Sequence, residues 1–274
     1  MSDKNSIFAK VTLLIYYNMN RIKIKRILFF ILPILLFTSC QTGKTIQSQI
    51  QDIQSELFYE LTTPVYSENI DYTIYLNQIG DSTILPYTTV KKKRGKFIPL
   101  IIYNMSQDNY EVTLGNASLI QPYNDFLMDA LLAQCNRSSC FDLIVKDDAV
   151  LPDSALILDV EVNKNNTTAK MISKDVFIFI PIPNFAWSWS SSSWEVDQPV
   201  SWLEISARLM QQENCLWEKT YTVTWDYPYK SHGIEKPVQA YEICIDNMTE
   251  CLSYATKGIV ENISENLHLL MLEK

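Results

Sequence analysis

Two stretches of this sequence alternate apolar and polar residues so strictly that each can only be a strand with one buried face. In the first, Leu156, Leu158, Val160 and Val162 lie on one side, with Asp159, Glu161 and Asn163 on the other. In the second, Leu203, Ile205, Ala207 and Leu209 alternate with Glu204, Ser206 and Arg208, and after the polar turn Gln211-Gln212-Glu213-Asn214 the pattern resumes through Trp217, Lys219, Tyr221, Val223 and Trp225. A half-buried sheet needs a cover, and the sequence supplies one. From about Ala240 to Met271 the period becomes helical, with a stripe of Cys244, Met248, Cys251, Leu252, Ala255, Ile259, Ile263, Leu267 and Leu270.

The rest of the chain fits the same scheme. Strands are expected over Tyr72–Leu76, Ile84–Val90, Phe97–Tyr103, Tyr110–Leu114, Phe141–Val145 and Thr167–Ile180, all rich in β-branched and aromatic residues. The cationic run Lys91-Lys92-Lys93-Arg94-Gly95-Lys96 reads as a hairpin tip, solvated or touching phospholipid. Pro122 suits the first turn of an amphipathic helix that carries Tyr123, Phe126, Leu127, Ala130 and Leu131 and ends near Gln134. The predicted class is α+β: an antiparallel sheet, an amphipathic helix after the first strands, and a long C-terminal helix packed on one face.

Near the N-terminus, Ile27 to Phe37 is an apolar run of eleven residues, where a membrane-spanning helix needs about 20. Arg21, Lys23, Lys25 and Arg26 precede it and the small residues Thr38 and Ser39 follow, the layout of a secretory signal peptide. Phe37-Thr38-Ser39-Cys40 resembles the lipobox of bacterial lipoproteins, with Phe where Leu is usual. The resemblance implies cleavage before Cys40 and acylation of its sulfur, so that the bilayer becomes a partner through more than one acyl chain; an uncleaved signal anchor is the alternative. Gln41 after the cysteine resembles the signal for outer-membrane sorting. Met19-Asn20-Arg21 opens a leader of ordinary length, and translation is expected to start at Met19. The expected organisation is a leader over 1–39, a lipidated tether and helical stalk over 40–66, in which Ile46, Ile50, Ile53, Leu57 and Leu61 share a face that packs on the chain's own domain, a coiled coil being the alternative, and one α+β domain over 67–274.

Removing residues 1–39 takes six of the 23 basic residues and one of the 31 acidic ones, leaving 17 against 30. So acidic a body repels phosphate backbones, which sets nucleic acid aside as a partner. Six glycines in 274 residues leave little for a phosphate-cradling loop. Five cysteines follow Cys40. Cys135 and Cys140 flank the turn-rich Asn-Arg-Ser-Ser and could form a disulfide, as could Cys215 with Cys244; small buried thiols are the other reading. There is no C-x-x-C, and only His232 and His268 could add nitrogen ligands, so neither a metal nor a cofactor is expected.

The stretch 181–202 joins Pro181, Pro183 and a serine run to Phe185, Trp187, Trp189 and Trp194. Prolines and serines predict a loop, and its rings serve either as a contact surface for a partner or bilayer or as a flap folded back on the sheet. No nucleophile elbow, P-loop or H-E-x-x-H occurs, and His232 beside Asp226 lacks a serine in a sharp turn, so no catalytic residue is assigned and the chain is not expected to be an enzyme. Asp81-Ser82-Thr83 and Asp153-Ser154-Ala155 resemble the short motif that carries O-linked sugars in exported proteins of Bacteroidetes; turn-forming Asp-Ser pairs are the plain reading.

The helix and strand from Gln121 to Met171, with Asp-Ser-Ala-Leu-Ile-Leu-Asp-Val-Glu-Val, and the hairpin Leu203 to Tyr221, with Leu-Trp-Glu-Lys-Thr-Tyr, resemble the auxiliary lipoproteins of ABC-type lipid transport systems. That resemblance implies a lipidated N-terminus on a compact α+β domain, with no catalytic residues to carry over. The expected function is that of a non-enzymatic lipoprotein of the bacterial cell envelope, lipid-anchored in the outer membrane and facing the periplasm or the cell surface. It would bind an envelope protein partner or assist transport; a surface-displayed binding or structural lipoprotein is the alternative.

Overall fold

A computed structural model describes residues 43–61, 72–80, 84–99, 103–138, 141–146, 151–152, 154–182 and 185–273. Cys40, the leader and the start at Met19 therefore lie outside the described residues, as do Ser82 and Cys140. In chain order the elements are α1 (Gly43–Gln51), β1 (Tyr72–Leu76), β2 (Thr89–Pro99), β3 (Tyr103–Thr113), a 3-10 turn (Asn116–Ser118), α2 (Tyr123–Ser138), β4 (Phe141–Val145), β5 (Leu156–Ile182), β6 (Phe185–Val196), β7 (Val200–Gln211), β8 (Asn214–Asp226), β9 (Ser231–Ile234) and α3 (Pro237–Leu272). The class is α+β as predicted. Nine described strands join one sheet, and the long C-terminal helix packs on it.

The sheet is built around β5, which is one strand of 27 residues, not the two that the sequence suggests. Its first half has β1 on one edge and β7 on the other, paired at Leu156–Leu158 with both. Its second half has β3 and β6 on those same two edges. The pairing is antiparallel except at β1, which runs parallel to both β4 and β5, so the sheet is mixed at one edge.

A bulge at Asn163 explains why the continuity was hidden. Val162 opposes Ile205 and Lys164 opposes Glu204, so Asn163 is one residue too many for β7, and its amide donates to Ser206 Oγ at 2.7 Å. Before the bulge the buried residues are Leu156, Leu158, Val160 and Val162; after it they are Asn165, Thr167, Ala169, Met171 and Ser173. One extra residue thus exchanges the parity that faces the core.

The core lies between the sheet and α3. Pro237 opens α3 at a position where its missing N–H costs nothing. Cys244, Met248, Cys251, Leu252, Ala255, Ile259, Ile263 and Leu267 are all fully buried, as their spacing predicts, and each large aliphatic side chain so buried contributes about 1.5–3 kcal/mol. Helix α2 joins this layer through Tyr123, whose hydroxyl meets Thr256 Oγ1 at 3.0 Å.

The expected helical stalk is shorter than its apolar stripe and packs on its own domain. Helix α1 ends at Gln51, and residues 52–61 are not helical. Ile46 and Ile50 are fully buried, Ser55 bridges Leu119, and the Phe58 N–H donates to Ser253 Oγ of α3 at 3.2 Å. The apolar stripe is taken up by the domain's own core, as the first of the two readings has it, and not by a coiled coil.

Deleting Asn163 should turn Ala169 and Met171 outward and drive Lys170 and Ile172 toward α3, or else break the β5–β7 register. The expected loss exceeds about 4 kcal/mol, checked as disappearance of a cooperative thermal transition in circular dichroism.

Candidate functional site

Beyond Ser173 no described side chain of β5 is buried, and the same holds for β6 over 187–193 and for β2 over 91–98. These stretches and the facing part of β3 form a four-stranded antiparallel arm in the order β2-β3-β5-β6. Strands β2 and β5 run outward, β3 and β6 return, and α3 covers only the base.

Partners in antiparallel ladders share a face, so the registers fix the rows of the arm. On the face away from α3, the row nearest the body holds Lys91, Glu111 and Lys170. Next come Lys93, Asn109, Ile172 and Glu195, then Lys96, Gln107, Lys174 and Ser193. Farther out the chemistry changes: Ile98, Met105, Val176 and Ser191 form one row, Tyr103, Ile178 and Trp189 the next, and Ile180 and Trp187 the last. Lys93 pairs with Glu111 at 2.6 Å and Lys174 with Glu195 at 2.5 Å. The Glu111 carboxyl is held below its ordinary range, first by its hydrogen bond to Lys93.

The face toward α3 is apolar and closed at its base and mixed farther out. Trp194 stacks on Tyr110 at 5.9 Å and meets Tyr241 of α3 edge-on at 5.4 Å. Toward the tip stand Phe97, Phe177 and Phe179 among Asn104, Ser106, Ser188, Ser190 and Ser192, with Asp175 accepting from Ser192 Oγ at 2.7 Å.

A second bulge keeps the lysines in line. Lys93 opposes Asn109 and Lys96 opposes Gln107, so one extra residue sits at Arg94-Gly95 and both lysines emerge on the same face. Glycine is needed there, because a Cβ on Gly95 would stand 2.2 Å from the Gln107 carbonyl oxygen.

Several sequence-based expectations need correction. The stretch 181–202 is not a loop: β5 runs to Ile182, β6 spans Phe185–Val196, and β7 begins at Val200. Its serines pair in register with Lys174 to Phe179, an arrangement tolerated because β6 is an outer strand over most of its length. Trp187 and Trp189 are 44% and 45% exposed, whereas Trp194 is 3% exposed and belongs to the core, not to a contact surface. Phe185 opens β6, with its side chain outside the described ones. The cationic run is not a hairpin tip but the body of β2, where Lys92 meets Asp108 at 2.8 Å.

The disulfide between Cys135 and Cys140 is not supported, since Cys135 is a free, buried thiol on α2. Nor do Cys215 and Cys244 pair: Cys215 is an exposed free thiol near the β7–β8 turn, and Cys244 is buried on α3. Burial pushes the thiols of Cys135, Cys244 and Cys251 up to about 12. Ser154 sits in an exposed turn. His232 is on the surface, its Nδ1 3.7 Å from Glu195 Oε1, and His268 is buried on α3. The rows of Ile98, Ile178, Ile180, Lys96 and Lys174 were missed; the alternation Trp187-Ser188-Trp189-Ser190 was the available signal.

No family model matches the chain, and no curated protein does. Among solved structures, a crystal structure of a Xanthomonas campestris protein of family model DUF330 is similar, with a TM-score of 0.42 and 11% identity over 78% of this chain and 94% of that one. So distant a likeness assigns this chain to no family.

Trp194→Ala should cost about 3–5 kcal/mol, while Trp187→Ser and Trp189→Ser should each change stability by less than about 1 kcal/mol, as read from urea unfolding of each variant. Because burial disfavours the thiolate, brief alkylation of the native chain at neutral pH should label Cys215 and spare Cys135, Cys244 and Cys251; peptide mass spectrometry before and after denaturation checks this.

Proposed function

We propose that the chain is a lipoprotein of the bacterial cell envelope, held in the outer membrane by acyl chains on Cys40, that works without catalysis by presenting its β arm to other envelope components. The observation that carries this reading is the tip of the arm, where Ile98, Ile180, Trp187 and Trp189 stand exposed in adjoining rows. Single exposed aromatics are ordinary on a protein surface; a contiguous set at the free end of an extension is the mark of a contact surface.

Three further points support it. The leader over 1–39 ends in the lipobox-like Phe37-Thr38-Ser39-Cys40. The thiols of Cys135, Cys244 and Cys251 are protonated and shielded, which suits packing and not nucleophilic chemistry. The His232 ring, whose Nδ1 stands 3.7 Å from Glu195 Oε1, is on the open surface, which suits a solvated side chain and not a triad. A role as the auxiliary subunit of a lipid transport system fits a tethered body with an apolar-tipped arm.

Cells grown with labelled palmitate should incorporate label into the wild-type chain, and Cys40→Ser should abolish both label and retention in the membrane fraction. Unchanged label and retention in that variant would overturn the anchor. In the same cells, photocrosslinkers placed at Trp187 and Trp189 should capture envelope components, while one at the distant, exposed Ser154 should not.

A further inference from the structure

The outward face of the arm is sorted along its length, not across its width. Its base holds Lys91, Lys93, Lys96, Lys170 and Lys174 against only Glu111 and Glu195. Its end holds Ile98, Tyr103, Met105, Val176, Ile178, Ile180, Trp187 and Trp189 and no charge. Over 89–113 and 170–196 together the sequence places seven basic residues against four acidic ones, in a chain whose formal net charge is −8. An acidic protein has thus concentrated positive charge behind one apolar tip.

Two features decide what that tip meets. Aromatic rings occur on both sides of its end, with Trp187 and Trp189 on one and Phe177 and Phe179, opposite Ser190 and Ser188, on the other. A protein groove takes up one face of a strand, whereas a tip dipped in an apolar medium is wetted on both. The row of Lys96 and Lys174 then lies directly behind the apolar rows, in the order in which a bilayer presents its hydrocarbon boundary and its phosphates, and the rows of Lys93 and Lys91 follow roughly 7 and 14 Å farther back. Tryptophan is favoured at that boundary, and clustered lysines are drawn to anionic headgroups.

Depth is limited by the strand edges. Among the described residues β2 pairs only with β3, and β6 pairs on its outer side only at Trp194 and Val196 with β9. In hydrocarbon the outward N–H and C=O groups of both edges would need ladder partners that no described strand supplies, so a single arm reaches no deeper than the interface.

We infer that the tip of the arm seats in the interface of an anionic lipid bilayer, with Trp187 and Trp189 at headgroup depth and the adjoining row of Lys96 and Lys174 toward the phosphates. The inference rests on the reading of the arm as the contact surface and is independent of acylation at Cys40.

The test uses tryptophan emission of the full chain, because residues 1–42 contain no tryptophan and two of the six in the sequence are at the tip. The chain is mixed with vesicles of phosphatidylcholine brominated high on its acyl chains, either alone or with one quarter phosphatidylglycerol. Anionic vesicles should quench the emission, and W187F/W189F should remove that quenching while leaving the fold intact. K96Q should weaken association about fivefold, and raised salt should act in the same direction. Quenching equal in W187F/W189F and wild type, or equal with and without phosphatidylglycerol, overturns the inference. So does the absence of quenching alongside crosslinking of the tip to an envelope protein in cells, which would make the occupant a protein. Repeating the measurement with Cys40→Ser separates the two readings: quenching that persists leaves the inference standing even where palmitate labelling fails, and labelling without quenching defeats the inference alone.

Discussion

The unbroken course of β5 is the constraint on which the rest of this molecule depends. A strand with four neighbours, two on each edge, forces β1 and β3 to share one side and β6 and β7 the other. The bulge at Asn163 then decides which residues of its second half face α3. Because that single residue changes the parity, Ile178 and Ile180 emerge away from the helix and Met171 and Ser173 toward it. The body and the arm are one sheet, with a cover over only part of it.

Different forces hold the two parts. In the body, α3 removes a wide stripe of side chains from water, and hydrophobic burial dominates. Among the described residues the outer part of the arm has no such layer. Its strands are kept together by ladder hydrogen bonds, by cross-strand pairs such as Trp187 opposite Ile180, and by ion pairs such as Lys174 with Glu195. The ion pairs are partly exposed and contribute little individually, so their value is in register more than in stability.

Much of the body was legible in the sequence and much of the arm was not, for physical reasons. The stripe of α3 and the alternation of β7 and β8 are strong because a buried face imposes its period. β5 broke into two apparent strands because the bulge shifts the phase of its alternation. β6 reads as a loop because its serine run disfavours a central strand and Pro181 and Pro183 stand just before it, yet an outer strand with solvent on one side tolerates the serines. The lysine run of β2 passed for a turn for a related reason: charge on an outer strand is what guards an exposed edge, and sequence alone does not say whether charge marks a turn or an edge. Trp194 was grouped with Trp187 and Trp189 by proximity in the chain, but five residues along a strand carry it from the tip rows to the aromatic cluster of Tyr110 and Tyr241.

A mechanical consequence follows from the continuity of β5. Tension applied at the outer end of the arm runs along the backbone into the part of the strand that lies beneath α3, without crossing a hinge or a linker. The pull is parallel to the strands, so it shears the β3 and β7 ladders of β5 together; it does not peel them one bond at a time. The molecule is built as a cantilever whose resistance comes from many hydrogen bonds loaded at once, and displacement of its far end is felt directly in the packed layer at its root.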